Sequence, residues 1–304
     1  MKFALFLLGH SADKAPAGQV YAEMLEQAQL ADRLGFEAVW LAEHHFTSYG
    51  YAPSPLMLGV KVADATQRVR VGTAVVVLPL HHPLHVAEQI AMADHLTGGR
   101  LEVGFGSGYQ QFEFERWGMP LAEKGDRFSE GLGIVRRALA GESFAHDGRH
   151  WQFPETTLVP EPRQAGGPPL WVAVQRPEAI AWAVREGFRC ISGGSSAPSD
   201  RLAENWASFR DGVNAAGKPW PQEFAIQAQV YVSESEADAR EQLRHAIWHV
   251  RMTGSLHDNT QVVERGRIIE RPWPVEPTLE ELYDRYVFFG TPDRVAERLE
   301  GMLA

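Results

Sequence analysis

The sequence has a single cysteine, Cys190, among 304 residues. One thiol excludes an intrachain disulfide framework and any cysteine-rich zinc site, and it suits a cytoplasmic location. Cations are scarce too: 29 Lys and Arg against 39 Asp and Glu leave a formal charge of −10. A surface of that sign repels phosphate polymers and anionic lipid, so no nucleic-acid or membrane partner is expected. Nor does any segment reach the roughly 20 apolar residues that span a bilayer. The opening run Met1–Leu8 is short and leads into Gly9-His10 without a small-residue cleavage site. It reads as a first, fully buried strand and not as a targeting segment.

What is present is the composition of a folded protein, 44% hydrophobic and 22% charged. Short apolar runs alternate with longer amphipathic ones along the whole chain. Strands are expected at 2–8, 38–42, 69–78, 100–105, 170–174, 188–192, 224–232 and 286–289. Helices are expected at 18–34, 55–65, 83–96, 123–140, 177–186, 199–216, 236–252 and 292–303. Met24, Ala28 and Ala31 recur at helical spacing before the closing Gly35, and Pro83 suits a first helical turn. Residues 146–168, rich in Pro, Gly and aromatics, read as a hairpin excursion. Residues 253–277 are polar and aperiodic, and a stretch that long reads as a lid-like insertion. Continuous apolar strands belong to parallel sheets covered on both faces. Eight strand-then-helix units with no shift in composition predict an α/β fold, a (β/α)8 TIM barrel forming one domain over 1–304. A doubly wound open sheet is the alternative.

In such a barrel the chemistry sits where strands end and helices begin. Glycine-rich ends occur at Gly104-Phe-Gly106-Ser107-Gly108 and at Ser192-Gly193-Gly194, and Gln175-Arg176 ends the strand between them. Backbone N–H groups of such turns cradle anions, and an arginine adds a charged fork. A phosphate is therefore expected among Ser107, Gly108, Gln175, Arg176 and Gly194. A dinucleotide fingerprint is excluded, because position 109 is Tyr and no acidic ribose ligand follows at the right distance. Imidazoles gather at other strand ends, at His10, His44 and His81. A metal hydrolase would also need a His-x-His pair on the first strand and an aspartate ending the last, and both are missing, so no metal is expected. His45, His82 and His85 read as structural or surface residues. His44 is suited to proton transfer near neutral pH.

The run Trp40-Leu-Ala-Glu-His-His-Phe-Thr47 resembles the bacterial luciferase-like flavin monooxygenases. The resemblance continues through Val71–Pro79, His82-Pro83, Asp94–Arg100, the Gly104–Gly108 loop, Pro168–Ala173 and Phe289–Val295. It implies the same barrel, and reduced FMN (FMNH2) delivered by a separate flavin reductase. It also implies a flavin C4a-(hydro)peroxide, formed with O2, that oxygenates a small organic substrate. On this resemblance His44 is the catalytic histidine. The cofactor-binding residues are Ala74, Val75, Gly106, Ser107, Gly108, Gln175, Arg176, Gly193 and Gly194. Ala74-Val75 matches a dipeptide beneath the flavin ring whose peptide bond can be cis. The family's reactive cysteine and neighbouring phosphate-holding arginine are replaced here by Gly106 and Ser107, so light emission is not expected and Arg176 stands in for the missing charge. A homodimer through the second and third helices, by way of Met57, Val60, Met92 and Ala93, is a further implication. An F420-dependent hydride-transfer enzyme, or a non-catalytic flavin-binding protein, are the other functions open to this pattern.

Overall fold

The computed structural model of the chain describes residues 1–193 and 197–303. Gly194 of the expected phosphate-binding set lies outside the described residues. The chain divides into two compact units, Met1–Trp171 with Val263–Ile268, and Val172–Val262 with Ile269–Ala304.

The first unit opens with four parallel strands in chain order: β1 (Ala4–Leu7), β2 (Ala38–Leu41), β3 (Arg70–Val77) and β4 (Leu101–Gly106). The register sets Leu7 beside Leu41, Leu41 beside Thr73 and Thr73 beside Val103, so the strand ends lie side by side. Helices α1 (Ala17–Leu34), α2 (Pro55–Ala65) and α3 (Pro83–Leu96) connect them. On α1, Val20, Met24, Ala28 and Ala31 form the buried stripe, and Gly35 ends the helix in a left-handed cap with φ 84°. Those residues pack with Val39, Leu41, Val62 and Val71 in one core cluster. α2 starts where Ser54 Oγ accepts from Met57 N–H and Pro55 occupies the first turn. At the far end of the strands Asp32 accepts the N–H groups of Gln67, Arg68 and Val69, which ties α1 to the start of β3. Burial works to raise that carboxyl, but these bonds and the Arg68 charge hold it below its usual range.

Two expectations for this unit are corrected. β1 is not fully buried; only Leu7 of its four residues is, since β2 is its one strand neighbour among the described residues. β4 is followed by an unexpected short helix, α4 (Gln111–Arg116), before α5 (Lys124–Leu139). The hairpin excursion is present as antiparallel β5 (Phe144–Asp147) and β6 (Gln152–Thr156), and residues 157–169 carry no regular element.

β7 (Leu170–Ala173) ends the first unit and begins the second, which continues with α6 (Pro177–Glu186), β8 (Arg189–Gly193) and α7 (Ser199–Ala215). The expected seventh strand is interrupted at Ala228, giving β9 (Phe224–Gln227) and β10 (Gln229–Val232). The expected helix 236–252 is likewise two, α8 (Glu236–Glu241) and α9 (Leu243–His257). The stretch 253–277 is more regular than its sequence suggests. It holds the last turn of α9 and a hairpin of β11 (Val262–Glu264) and β12 (Arg267–Ile269). Gly254 in that last turn leaves room for Trp273, because a Cβ there would stand 2.4 Å from the indole. A short turn, α10 (Leu279–Glu281), leads to β13 (Val287–Gly290) and α11 (Pro292–Leu303). β8 pairs with β9 and β10 with β13, both parallel. All eight expected strand-then-helix units are thus present in order. No helix among the described residues is long and apolar enough to cross a membrane.

Candidate active site

The ends of β2, β3 and β4 carry the sequence-predicted residues of the first unit. Between Thr73 and Val76 the pairing of β3 with β4 slips, so that Ala74 and Val75 face the single residue Gly104. Thr73 Oγ1 pins the bulge from below, donating to Gly104 O and accepting from Gly104 N–H, both at 2.9 Å. From above, Glu43 Oε2 accepts Val77 N–H at 3.0 Å. The Ala74–Val75 peptide bond is cis. Ala74 and Val75 are partly exposed, while every other residue from 71 to 80 is buried. The Val75 side chain lies against Gly106, where a Cβ would be 2.5 Å from Val75 Cγ2. A small, uncovered apolar shelf of this kind suits a flat aromatic ring better than a polar ligand. Gly108 also requires glycine: φ is +74°, and a Cβ would meet Phe114 and Val77 within 2.8 Å. Ser107 and Gly108 are partly exposed in the loop after β4, and Lys124 Nζ donates to Gly108 O at 3.0 Å. Burial lowers the Lys124 pKa.

His44 follows β2. Its Nδ1 lies 3.1 Å from Glu113 Oε1 and 2.9 Å from Gln110 Nε2. Its ring meets Tyr49 edge-on at 4.7 Å between centroids and Tyr109 at 6.2 Å. Burial, with Tyr49 beside it, raises the Tyr109 phenol well above its ordinary value. Tyr49 is held by the loop after β2, where Ser48 N–H donates to Gly266 O at 2.7 Å and Ser48 Oγ accepts Ile268 N–H at 3.2 Å. So the tip of the β11–β12 hairpin, within the first unit, fixes the loop on which His44 depends.

His45 points the other way, as alternation at a strand end requires. Its Nε2 lies 2.8 Å from Glu43 Oε1, and His81 Nε2 lies 2.7 Å from the same oxygen. Glu43 is 1% exposed. Burial works to raise its carboxyl, but the hydrogen bonds and charges of His45 and His81 overcome that and hold it at about 2. Glu43 in turn raises His81 against the opposing effect of burial. Glu43, His45 and His81 also have the composition of a metal-ligand triad. Their separations are those of charge-assisted hydrogen bonds, and Glu43 Oε2 is already engaged by Val77, so the cluster is explained as a structural one. It clamps the end of β2 to the end of β3.

In the second unit Gln175 and Gly193 come together: Gln175 Nε2 donates to Gly193 O at 2.6 Å. Arg201 holds the Gln175 carbonyl at 3.1 Å. Gly193 has φ +96°, and a Cβ there would stand 2.6 Å from Gln227 O, so no other residue fits. Arg176 is exposed at the start of α6, whose first turn carries Pro177. Sequence reasoning missed Gln110, Glu113, Lys124 and Arg201. The first two sit on or next to α4, whose Gln-Phe-Glu-Phe-Glu-Arg sequence alternates like a strand and gives no helical signal.

A family model described as luciferase-like monooxygenase matches residues 1–303. The oxygenase component of a flavin-dependent trigonelline monooxygenase from Acinetobacter baylyi is 31% identical over 88% of this chain and 75% of its own. Among solved structures, monooxygenase RslO1 from Streptomyces bottropensis is 29% identical with a TM-score of 0.84, over 99% of this chain and 88% of that one. The oxygenating constituent of 3,6-diketocamphane monooxygenase from Pseudomonas putida, solved in complex with FMN, has a TM-score of 0.81 at 22% identity, over 99% and 88% of the two chains. That last likeness concerns the fold alone. The family matched is the one that the sequence resembles.

Proposed function

The chain belongs to the luciferase-like monooxygenase family, and on that premise we propose that it is the oxygenase component of a two-component system. FMNH2 arrives from a separate reductase, and the substrate is a small organic molecule. When bound, the reduced flavin supplies the two electrons that let O2 deliver one atom to product and one to water. The sum is FMNH2 + O2 + substrate → FMN + oxygenated substrate + H2O. The observation that carries the reading is the uncovered Ala74–Val75 shelf beside the strand end that bears His44. Ala74 and Val75 would hold the flavin ring there, with Gly106 leaving room for the Val75 side chain. His44 holds or takes a proton at the reacting centre. Candidate phosphate ligands beside that shelf, within the first unit, are Ser107, Gly108 and the nearby Lys124. Of the expected lid, Val263–Ile268 belongs to the first unit, where it holds the loop after β2 and helps to keep water from His44. Of the four residues expected at a homodimer face, Met57 (76% exposed) on α2 and Met92 (53%) on α3 form it with the half-buried Val60, whereas Ala93 is buried within the chain and drops out; light scattering checks the dimer.

The test is to mix the protein and FMNH2 with aerated buffer in a stopped-flow instrument. Flavin reoxidation is expected to pass through a distinct, slowed phase before oxidised FMN appears. Reoxidation at the rate of free FMNH2, with tight F420 binding, would instead favour hydride transfer. FMN binding without turnover of any compound in a panel of aldehydes, ketones and N-heteroaromatics would favour a non-catalytic role. His44→Ala is expected to spare FMN binding and to lower turnover by about 10²-fold or more.

A further inference from the structure

Nδ1 of His44 is met by two side chains that make opposite demands. Glu113 Oε1, 3.1 Å away, can only accept a hydrogen bond when ionised. The Gln110 amide end at 2.9 Å, assigned as the NH2 group, can only donate. One ring nitrogen cannot be donor and acceptor at once.

A backbone bond decides between them. Glu113 Oε1, on a side chain 2% exposed, accepts the His45 N–H at 2.8 Å, and the same oxygen faces Nδ1. An oxygen already fixed as an acceptor leaves the hydrogen to Nδ1. The Gln110 amide must then present its oxygen to His44. The nitrogen and oxygen of an amide have the same shape, and their assignment follows the bonds around them. In the reversed orientation Oε1 accepts from Nδ1–H and from the Tyr109 hydroxyl, whose oxygen lies 3.2 Å from that end of the amide. The other end of the Gln110 amide is buried without a protein partner in either orientation, so it decides nothing. Nε2 of His44 bonds to no described residue, and the side chain keeps 12% exposure.

We infer that Glu113 is the positioning residue that holds His44 as the Nδ1–H tautomer, with the lone pair of Nε2 facing the site, and that the Gln110 amide turns its oxygen to fit that tautomer. The inference rests on the monooxygenase reading for its purpose, not for its geometry. His44 thereby enters the reaction as a proton acceptor. A new N–H bond forms at Nε2 as an O–H or N–H bond of the substrate breaks, and the resulting imidazolium lies beside the Glu113 carboxylate. Gln110 Oε1 adds a second acceptor at Nδ1.

The test is the imidazole 15N spectrum of the full-length, 15N-histidine-labelled protein above neutral pH, with His44 assigned by loss of its signals in His44→Gln. A protonated Nδ1 and a bare Nε2 are expected. Glu113→Gln removes the charge that selects this form and is expected to populate the Nε2–H tautomer, and Gln110→Leu is expected to retain Nδ1–H. Turnover with FMNH2 should fall on the order of 10²-fold in Glu113→Gln with KM little changed, and Glu113→Asp should recover part of it. A bare Nδ1 in the unsubstituted protein, or an unchanged tautomer in folded Glu113→Gln, overturns the inference. If the unsubstituted protein shows the expected tautomer but no FMNH2-dependent turnover, the functional reading fails and the positioning role stands.

Discussion

Glu43→Gln replaces a buried carboxylate by a neutral amide of the same shape. The amide oxygen can still accept Val77 N–H, but the charge that binds two imidazoles is gone. The Glu43 carboxyl is held at about 2 against an ordinary 4.5. Each unit of such a difference is worth about 1.4 kcal/mol, so loss of the charged form costs on the order of 3 kcal/mol. That agrees with the roughly 3–5 kcal/mol typical when one partner of a buried ion pair is removed. The sign follows from the direction of each shift. The folded Glu43 carboxyl is depressed, so its contribution is present above pH 4.5 and is lost as pH falls towards 2. His81 is raised, so its contribution is present below 6.5 and is lost as pH rises through its folded pKa. The two proteins should therefore differ most between about pH 5 and 6.5. Urea unfolding followed by tryptophan fluorescence at pH 4, 5.8 and 8.5 measures the difference. A gap under about 1 kcal/mol at pH 5.8, or one independent of pH, would refute the reasoning.

Gly106→Ala places a methyl group 2.5 Å from Val75 Cγ2. It should cost about 1–3 kcal/mol of local strain and weaken FMN binding by about tenfold, as measured by flavin fluorescence; unchanged affinity would separate Val75 from the flavin. Gly193→Ala, at φ +96° and against a backbone oxygen, should destabilise the protein by about 1–3 kcal/mol in denaturant melts. Lys124→Ala should weaken FMN by about 10–100-fold and leave riboflavin binding unchanged, since riboflavin lacks the phosphate that a charged hydrogen bond would hold. Equal loss for both flavins would remove Lys124 from the phosphate.

The elements legible in the sequence are those whose local chemistry agrees with their packing. The β-branched run of β3 becomes a buried strand, Pro83 starts α3, and Gly35 closes α1. What escaped is set by contacts distant in sequence. α4 is helical although its residues alternate, because Phe112, Glu113 and Phe114 are all buried and Phe114 packs with Val77 and Leu80. The carboxylate that meets His44 was hidden with that helix. The break at Ala228 is equally non-local: β9 follows β8 and β10 follows β13, so one apolar run serves two partners. For His44 and His45, alternation predicted opposite directions, and they do differ, but only coordinates reveal that Glu113 waits on one side and Glu43 on the other.

The most direct measurement of the central claim is a crystal structure of the protein soaked with FMN. The account predicts the isoalloxazine ring in van der Waals contact with Ala74 and Val75, its reactive edge turned towards Nε2 of His44. A flavin whose ring lies away from that shelf, or a shelf that stays bare at saturating FMN, would contradict it.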